Sequence, residues 1–149
     1  LKIEFDIYKK NDFDEFKKMV SALYKEDAYG EKITDRKIKK TISELSANSD
    51  QGEIYIFKRM AKTVGYAIII YYWSNEYGGH IAFIDELYVK PQFRSQGIAT
   101  QFLEFIITKN KRDIKLLQLE VTKANEKAIG FYRKNGFTLN ENLSMIQKL

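Results

Sequence analysis

The stretch from His80 to Ile106 constrains the fold more than any other. His80–Val89 reads as a strand, and Pro91 ends it by withholding a ladder donor. From Gly97 an apolar pattern at helical spacing then runs through Ile98, Phe102, Leu103 and Ile106. A further strand-like run, Lys115–Thr122, follows with Leu117, Leu119 and Val121 on one face. Strand, helix and strand in succession make a crossover unit within one sheet.

The upstream pattern completes that sheet. Glu53–Arg59 and Thr63–Trp73 are rich in Ile, Val and Tyr and are joined by a short turn at Met60-Ala61-Lys62. The turn Ser74–Gly79 leads into the strand at His80. Three hairpin-linked strands followed by a crossover predict a mixed α/β sheet with helices on its faces. At the N-terminus Ile3, Phe5 and Ile7 alternate with Glu4, Asp6 and Tyr8 as a first strand. Asp12 then caps a helix with Glu15 as its capping-box partner, and Phe13, Phe16, Val20, Leu23 and Tyr24 share one helical face. A turn around Tyr29-Gly30 precedes a second helical pattern, in which Ile38, Ile42 and Leu45 follow Thr34, and Gly52 ends that connection. Near the other end Asn125 caps a short helix that Gly136 closes, and Phe137–Leu149 has room for a final hairpin. The expected order is β-α-α-β-β-β-α-β-α-β-β. No repeat, linker or low-complexity stretch interrupts it, so residues 1–149 read as a single domain.

Composition narrows the function. With 44% hydrophobic and 30% charged residues the chain has the profile of a soluble globular protein. It contains no Cys, which removes disulfides, thiolate metal sites and cysteine nucleophiles and fits a reducing cytoplasm. The net charge of +5 would help attract a polyanion, but basic and acidic residues are interspersed and no run of like charge signals a nucleic-acid arm. Val64–Trp73 is too short and too tyrosine-rich to span a membrane, and no signal peptide shows. The first residue is Leu1 and not Met, which leaves room for residues before it.

The turn itself, Arg94-Ser95-Gln96-Gly97-Ile98-Ala99, opens directly into a helix. The first amides of a helix lack internal partners and lie at the positive end of its dipole, so such a turn can hold a pyrophosphate. Gly97 lets the backbone approach an anion, Ala99 keeps the next tight position small, and Arg94 and Lys90 add charge nearby. An ordinary strand–loop–helix connection with an incidental glycine is the competing reading.

The wider pattern decides between them. Asp85-Glu86-Leu87-Tyr88-Val89-x-Pro-x-x-Arg-x-x-Gly-x-Ala resembles the central motif of the GCN5-related N-acetyltransferases (GNAT). Asn125-x-x-Ala128-x-x-Phe131-Tyr132-x-x-Asn135-Gly136-Phe137 resembles that family's second motif, in the same order and at the usual separation. The resemblance covers nearly the whole chain and implies the acyl-CoA N-acyltransferase fold with acetyl-CoA as cosubstrate. It implies that the backbone of Leu87 and Val89, with Tyr88 between them, pairs with the pantetheine arm like an added strand. Amides of Arg94, Ser95, Gln96, Gly97, Ile98 and Ala99 would hold the pyrophosphate. Asn125 and Ala128 would lie beside the cofactor where the fourth and fifth strands splay, with Tyr132 near its sulfur. In the family a bulge often produces that splay, and the sequence does not display one directly. The family often dimerises through its C-terminal strands, which Leu143, Met145, Ile146 and Leu149 permit.

Acetyl transfer to an amine needs a neutral amine, a held thioester carbonyl and a proton for the departing thiolate. Without Cys, direct attack in a ternary complex is the simplest mechanism. A free phenol titrates at about 10, near an alkyl thiol, so Tyr132 is the candidate proton donor, against the plainer reading of a packed aromatic. Asp85 and Glu86, adjacent on a strand, are expected on opposite faces, and either is a candidate base or amine ligand. His80 follows Gly78-Gly79 as a turn histidine, more a bystander than a base. Tyr71, Tyr72, Trp73 and Tyr77 form an aromatic hairpin, read as half core and half sheet surface. The expected acceptor is a small-molecule primary amine, polyamine- or aminoglycoside-like, with no nucleic acid, membrane or metal involved. A protein N-terminus or lysine, and a non-catalytic acyl-CoA-binding regulator, are the alternatives.

Overall fold

The structure is a computed structural model that describes residues 2–28, 30–109 and 112–149, so Tyr29 of the expected turn lies outside the described residues. The chain divides into two compact units, Leu1–Leu119 and Glu120–Leu149.

The first unit is built on a five-stranded sheet in the order β1-β2-β3-β4-β5. Its strands are β1 (Glu4–Ile7), β2 (Gly52–Arg59), β3 (Lys62–Ser74), β4 (Gly79–Val89) and β5 (Ile114–Gln118). Neighbours are antiparallel except β4 and β5, which are parallel, as the crossover requires. Its helices are α1 (Phe13–Glu26), α2 (Asp35–Ala47) and α3 (Ile98–Lys109). Both faces of the sheet are covered, which is why β2 and β3 read as nearly continuous apolar runs. On one face Phe16, Met19 and Val20 of α1 and Ile38 and Leu45 of α2 pack with Ile54, Ile56, Tyr66, Ile68 and Tyr88. On the other, Phe102 of α3 meets Phe57 at 4.7 Å and Tyr55 at 5.5 Å between ring centroids.

Local signals mostly act as their chemistry dictates. Thr34 caps α2 by accepting the Lys37 N–H at 3.3 Å. The β2–β3 hairpin closes on Met60 and Ala61 alone, both at positive φ (51° and 62°), as a two-residue turn between twisted strands requires. The capping box at Asp12 does not form. Lys10–Asp12 makes a 3₁₀ turn, and the buried Asp12 carboxylate instead accepts the Lys9 N–H at 2.8 Å and pairs with Lys58 at 3.1 Å. An ion pair to β2 thus displaces the local cap, leaving Glu15 for other partners. β5 stops at Gln118, short of the expected Thr122.

In the second unit α4 (Glu126–Lys134) is the one helix among the described residues. Asn125 caps it, its Oδ1 accepting the Ala128 N–H at 3.1 Å, and Gly136 at φ +89° closes it with Phe137 N–H on the Tyr132 carbonyl at 3.0 Å. The expected hairpin over Phe137–Leu149 is not there: these residues form no strand, and Leu143, Met145 and Ile146 are exposed. Two strands alone are marginal in water, and apolar residues without strict alternation do not define a face for them. No described helix is long and apolar enough to cross a membrane.

Candidate active site

The site grows from an irregularity in β4. Ile69 of β3 lies opposite Ile84 and Ile68 opposite Glu86, so Asp85 is the extra residue of a bulge. On its other edge β4 pairs with β5 only from His80 to Phe83, opposite Ile114 to Gln118. Beyond Phe83 the edge of β4 is not taken by β5. The bulge and the splay, neither visible in the sequence, therefore fall within three residues of each other. Leu87 and Val89 lie on the stretch that β5 leaves unpaired, with the Val89 carbonyl accepting from Arg94 Nε at 2.7 Å.

The bulge also sets the face that Glu86 takes, which simple alternation along β4 does not predict. The extra residue shifts the pleat by one, so that Glu86 stands opposite Ile68 and Tyr88 opposite Tyr66, on the face covered by α1 and α2. Asp85 is exposed at the bulge; Glu86 is half-buried. Glu86 Oε2 accepts the Tyr24 hydroxyl at 2.7 Å and Oε1 accepts the Tyr66 hydroxyl at 2.7 Å. Burial raises the Glu86 carboxyl, the two phenol hydrogen bonds oppose that rise, and the Asp85 charge adds to it. Burial, then Glu86 itself, raises both phenols, so they stay protonated as donors.

At the end of β4, Lys90 N–H bonds the Val64 carbonyl at 2.9 Å and Pro91–Phe93 makes a single 3₁₀ turn. Phe93 is buried beneath the Arg59 guanidinium, 4.8 Å from its ring. Ser95 and Gly97 then adopt positive φ (60° and 77°), and α3 begins at Ile98. The first helical bond reaching the turn is Gln101 N–H to the Gly97 carbonyl, 3.0 Å. Among the described residues no backbone acceptor takes the amides of residues 95 to 100. Ser95, Gln96 and Gly97 are exposed while Ile98 is buried, and the Arg94 N–H, expected in the same set, instead bonds the Pro91 carbonyl at 3.2 Å; the remaining donors at this helix N-terminus suit an anion of pyrophosphate geometry.

The cations expected to support the turn are otherwise engaged. Arg94 donates through Nε to the Val89 carbonyl at 2.7 Å and through Nη2 to both Glu26 oxygens at 2.8 and 3.0 Å, with its guanidinium over Tyr88. Lys90 pairs with Glu15 at 2.6 Å, which holds the Glu15 carboxyl below its usual range. Both charges are thus largely neutralised by α1. Sequence reasoning missed Arg59, whose Nη1 donates to Gln96 Oε1 at 2.7 Å and fixes the side chain of the turn. The hairpin register that carries Arg59 there was its only signal. Tyr88 buries its side chain beside Tyr66 and offers backbone alone.

His80 lies in β4 and not in a turn, with Nδ1 buried and lacking a hydrogen-bond partner, and its ring edge-on to Trp73. The aromatic hairpin divides as expected: Tyr71 is buried, while Tyr72, Trp73 and Tyr77 are exposed. In the second unit the Tyr132 ring packs on Phe131 and Phe137, and burial pushes its phenol up to about 12. The near-equality of phenol and thiol expected of free groups therefore fails in the folded chain; Tyr132 holds its proton more firmly. No group of three or more His, Asp or Glu among the described residues is placed to hold a metal.

Comparison with known proteins agrees with this geometry. An uncharacterized N-acetyltransferase of Methanocaldococcus jannaschii is 32% identical over 94 residues, 62% of this chain; the chain spans 42% of that relative's length. A possible acetyltransferase from Clostridium difficile 630 superposes with a TM-score of 0.83 at 23% identity, covering 99% of this chain and 98% of that one. AAC(6')-Iy in complex with the bisubstrate analogue CoA-S-monomethyl-acetylneamine superposes at 0.80 with 16% identity, over 100% and 99% of the two chains. The ribosomal-protein-alanine N-acetyltransferase of Brucella melitensis biovar Abortus 2308 superposes at 0.74 with 17% identity, over 99% and 100%. At these identities the structures establish the fold. The sequence model of the acetyltransferase (GNAT) family matches residues 16–137, and the chain belongs to that family.

Proposed function

We propose that this protein transfers an acetyl group from acetyl-CoA to a small primary amine, with residues 1–149 acting as one acetyltransferase domain. The observation that carries the reading is the continuity of the free β4 edge beyond the bulge with the unbonded amides of residues 95 to 100. A pantetheine arm is a chain of amides that can pair like a strand, and a pyrophosphate is the anion such a helix start accepts. The nitrogen of a neutral amine attacks the thioester carbonyl, the carbon–sulfur bond breaks, an amide forms and the thiolate takes a proton. Tyr132 is assigned as that donor; its raised phenol remains protonated across the working range. Glu86, with Asp85 beside it, is assigned to the acceptor amine. A carboxylate is a poor base toward an ammonium but a good ligand for it, so the amine's proton leaves through water. That a solved neighbour carries a CoA–acetylneamine conjugate favours a small cationic acceptor.

Thiol release from acetyl-CoA across a panel of polyamines, aminoglycosides and peptides tests the assignment. Turnover is expected with a small primary amine and exceeds that with any peptide. Binding of acetyl-CoA without turnover on any amine would establish the non-catalytic binder instead. In Tyr132→Phe, turnover should fall about a hundredfold while CoA affinity stays within about twofold. Unchanged turnover removes Tyr132 as the donor.

A further inference from the structure

Three contacts join α1 to β4 and its turn: Glu15 to Lys90, Tyr24 to Glu86, and Glu26 to Arg94. The last two leave the same helical turn. Tyr24 reaches the carboxylate next to the bulge, and Glu26, two residues on, holds an arginine that Nε pins to the Val89 carbonyl. We propose that Tyr24 is a positioning residue for the acceptor: carried on the last turn of α1, which Glu26 and Arg94 anchor, its hydroxyl fixes Glu86 as an anionic seat beside the bulge.

Three observations support this. Each Glu86 oxygen accepts one phenol, and a carboxylate oxygen has a second lone pair, so the pair of phenols orients the group without exhausting it. Two donors on a half-buried carboxylate remove its rotational freedom, which leaves less to be lost when an ammonium binds. Tyr66 is fully buried in the sheet, whereas Tyr24 is half-buried and stands at the end of a helix. Tyr66 therefore acts as a fixed support, and Tyr24 depends on how α1 is held. The groups acting electrostatically on Glu86 are Tyr24 from α1, Tyr66 from β3 and Asp85 within β4. Of these, the two tyrosines favour the carboxylate, and burial and Asp85 oppose it.

The proposal rests on the assignment of Glu86 to the acceptor, and the test separates the two. The Glu86 side-chain carboxyl is followed by carbon NMR against pH in wild type and in Tyr24→Phe, and kcat/KM for the best amine is measured over the same range. Loss of the Tyr24 hydroxyl removes a donor to the charged form, so the Glu86 titration should move to higher pH. With it, kcat/KM should fall about tenfold at the acid end of the range and less toward the alkaline end, mainly through KM. Glu26→Gln, which leaves Tyr24 in place, should shift both in the same direction by less. An unmoved titration, or a loss equal at every pH, overturns the positioning role and leaves Tyr24 a packing residue. A titration that moves while the kcat/KM profile does not would keep the contact but remove Glu86 from the acceptor site. Thermal melts of both variants, expected within a few degrees of wild type, exclude general unfolding as the cause.

Discussion

The bulge within β4 and the turn that follows the strand are built on different principles. At the turn after β4 the groups proposed to hold the cofactor are backbone amides, set by two residues at positive φ and the start of α3. At the bulge they are side chains from α1, β3 and β4, brought together across 62 positions of sequence between Tyr24 and Glu86. A backbone site depends on a few consecutive residues. A side-chain site depends on the register of the sheet and on where a helix ends. The first tolerates most changes of side chain and fails on a change of conformation; the second does the reverse.

The sharpest way to break this contrast is Gly97→Val. A Cβ at Gly97 would meet only Gln101 Nε2 at 4.0 Å, so space does not forbid a side chain there. The φ of +77° does, because a β-branched residue is strained by about 1–3 kcal/mol in that region. Relaxing the strain turns amides away from the anion, so CoA affinity should fall at least about tenfold by calorimetry while the Glu86 titration stays where it is. Undiminished affinity would mean that the backbone geometry of the turn does not bind the cofactor.

The same contrast explains what was legible beforehand. Pro91 withholds a ladder donor and Gly97 can take a left-handed conformation, so the strand–turn–helix could be read directly. The caps at Asn125 and Gly136 follow for the same reason. The bulge at Asp85 leaves no such mark: Ile-Asp-Glu-Leu is compatible with regular alternation, and only pairing with Ile68 and Ile69 reveals the extra residue. Arg94 was legible as a cation but not as a brace, because Glu26 lies 68 positions away. Asp12 failed as a cap for a similar reason, since Lys58 on β2 competes for it. The hairpin over Phe137–Leu149 failed because apolar residues alone do not specify pairing partners.

A smaller effect is expected at Ser95, a non-glycine residue at φ +60° within the cofactor turn. Ser95→Gly removes strain worth about 1 kcal/mol, partly offset by the greater freedom of glycine in the unfolded chain. Thermal melts should show a rise of a few degrees, with CoA affinity equal or tighter. Ala61→Gly, at φ +62° in the β2–β3 hairpin, is the matched control: a similar rise is expected without effect on CoA. A loss of affinity in Ser95→Gly alone would show that the serine side chain, and not the backbone, contributes at the turn.

The smallest effect distinguishes the carboxylates at the two places, Glu86 beside the bulge and Glu15 on Lys90 at the turn. Glu15, bonded to Lys90, has a folded carboxyl below its usual range, so its contribution to stability is present above the ordinary value and is lost as pH falls through the lowered one. Glu86, raised by burial, has the opposite sign: its contribution is complete below the ordinary carboxylate value and is lost as pH rises through the raised one. The Glu86 charge, proposed to seat an amine, is thus held at some expense of stability, whereas the charge that braces Lys90 adds a little. Melting temperatures of Glu15→Gln and Glu86→Gln followed from about pH 4 to pH 8 should diverge, with Glu15→Gln falling behind wild type as pH rises and Glu86→Gln gaining on it. The Glu15 change will be slight because its side chain is 44% exposed and the pair is screened by solvent. If both variants fall behind together, Glu86 is an ordinary paired carboxylate, and the bulge and the turn do not differ in the way their charges are held.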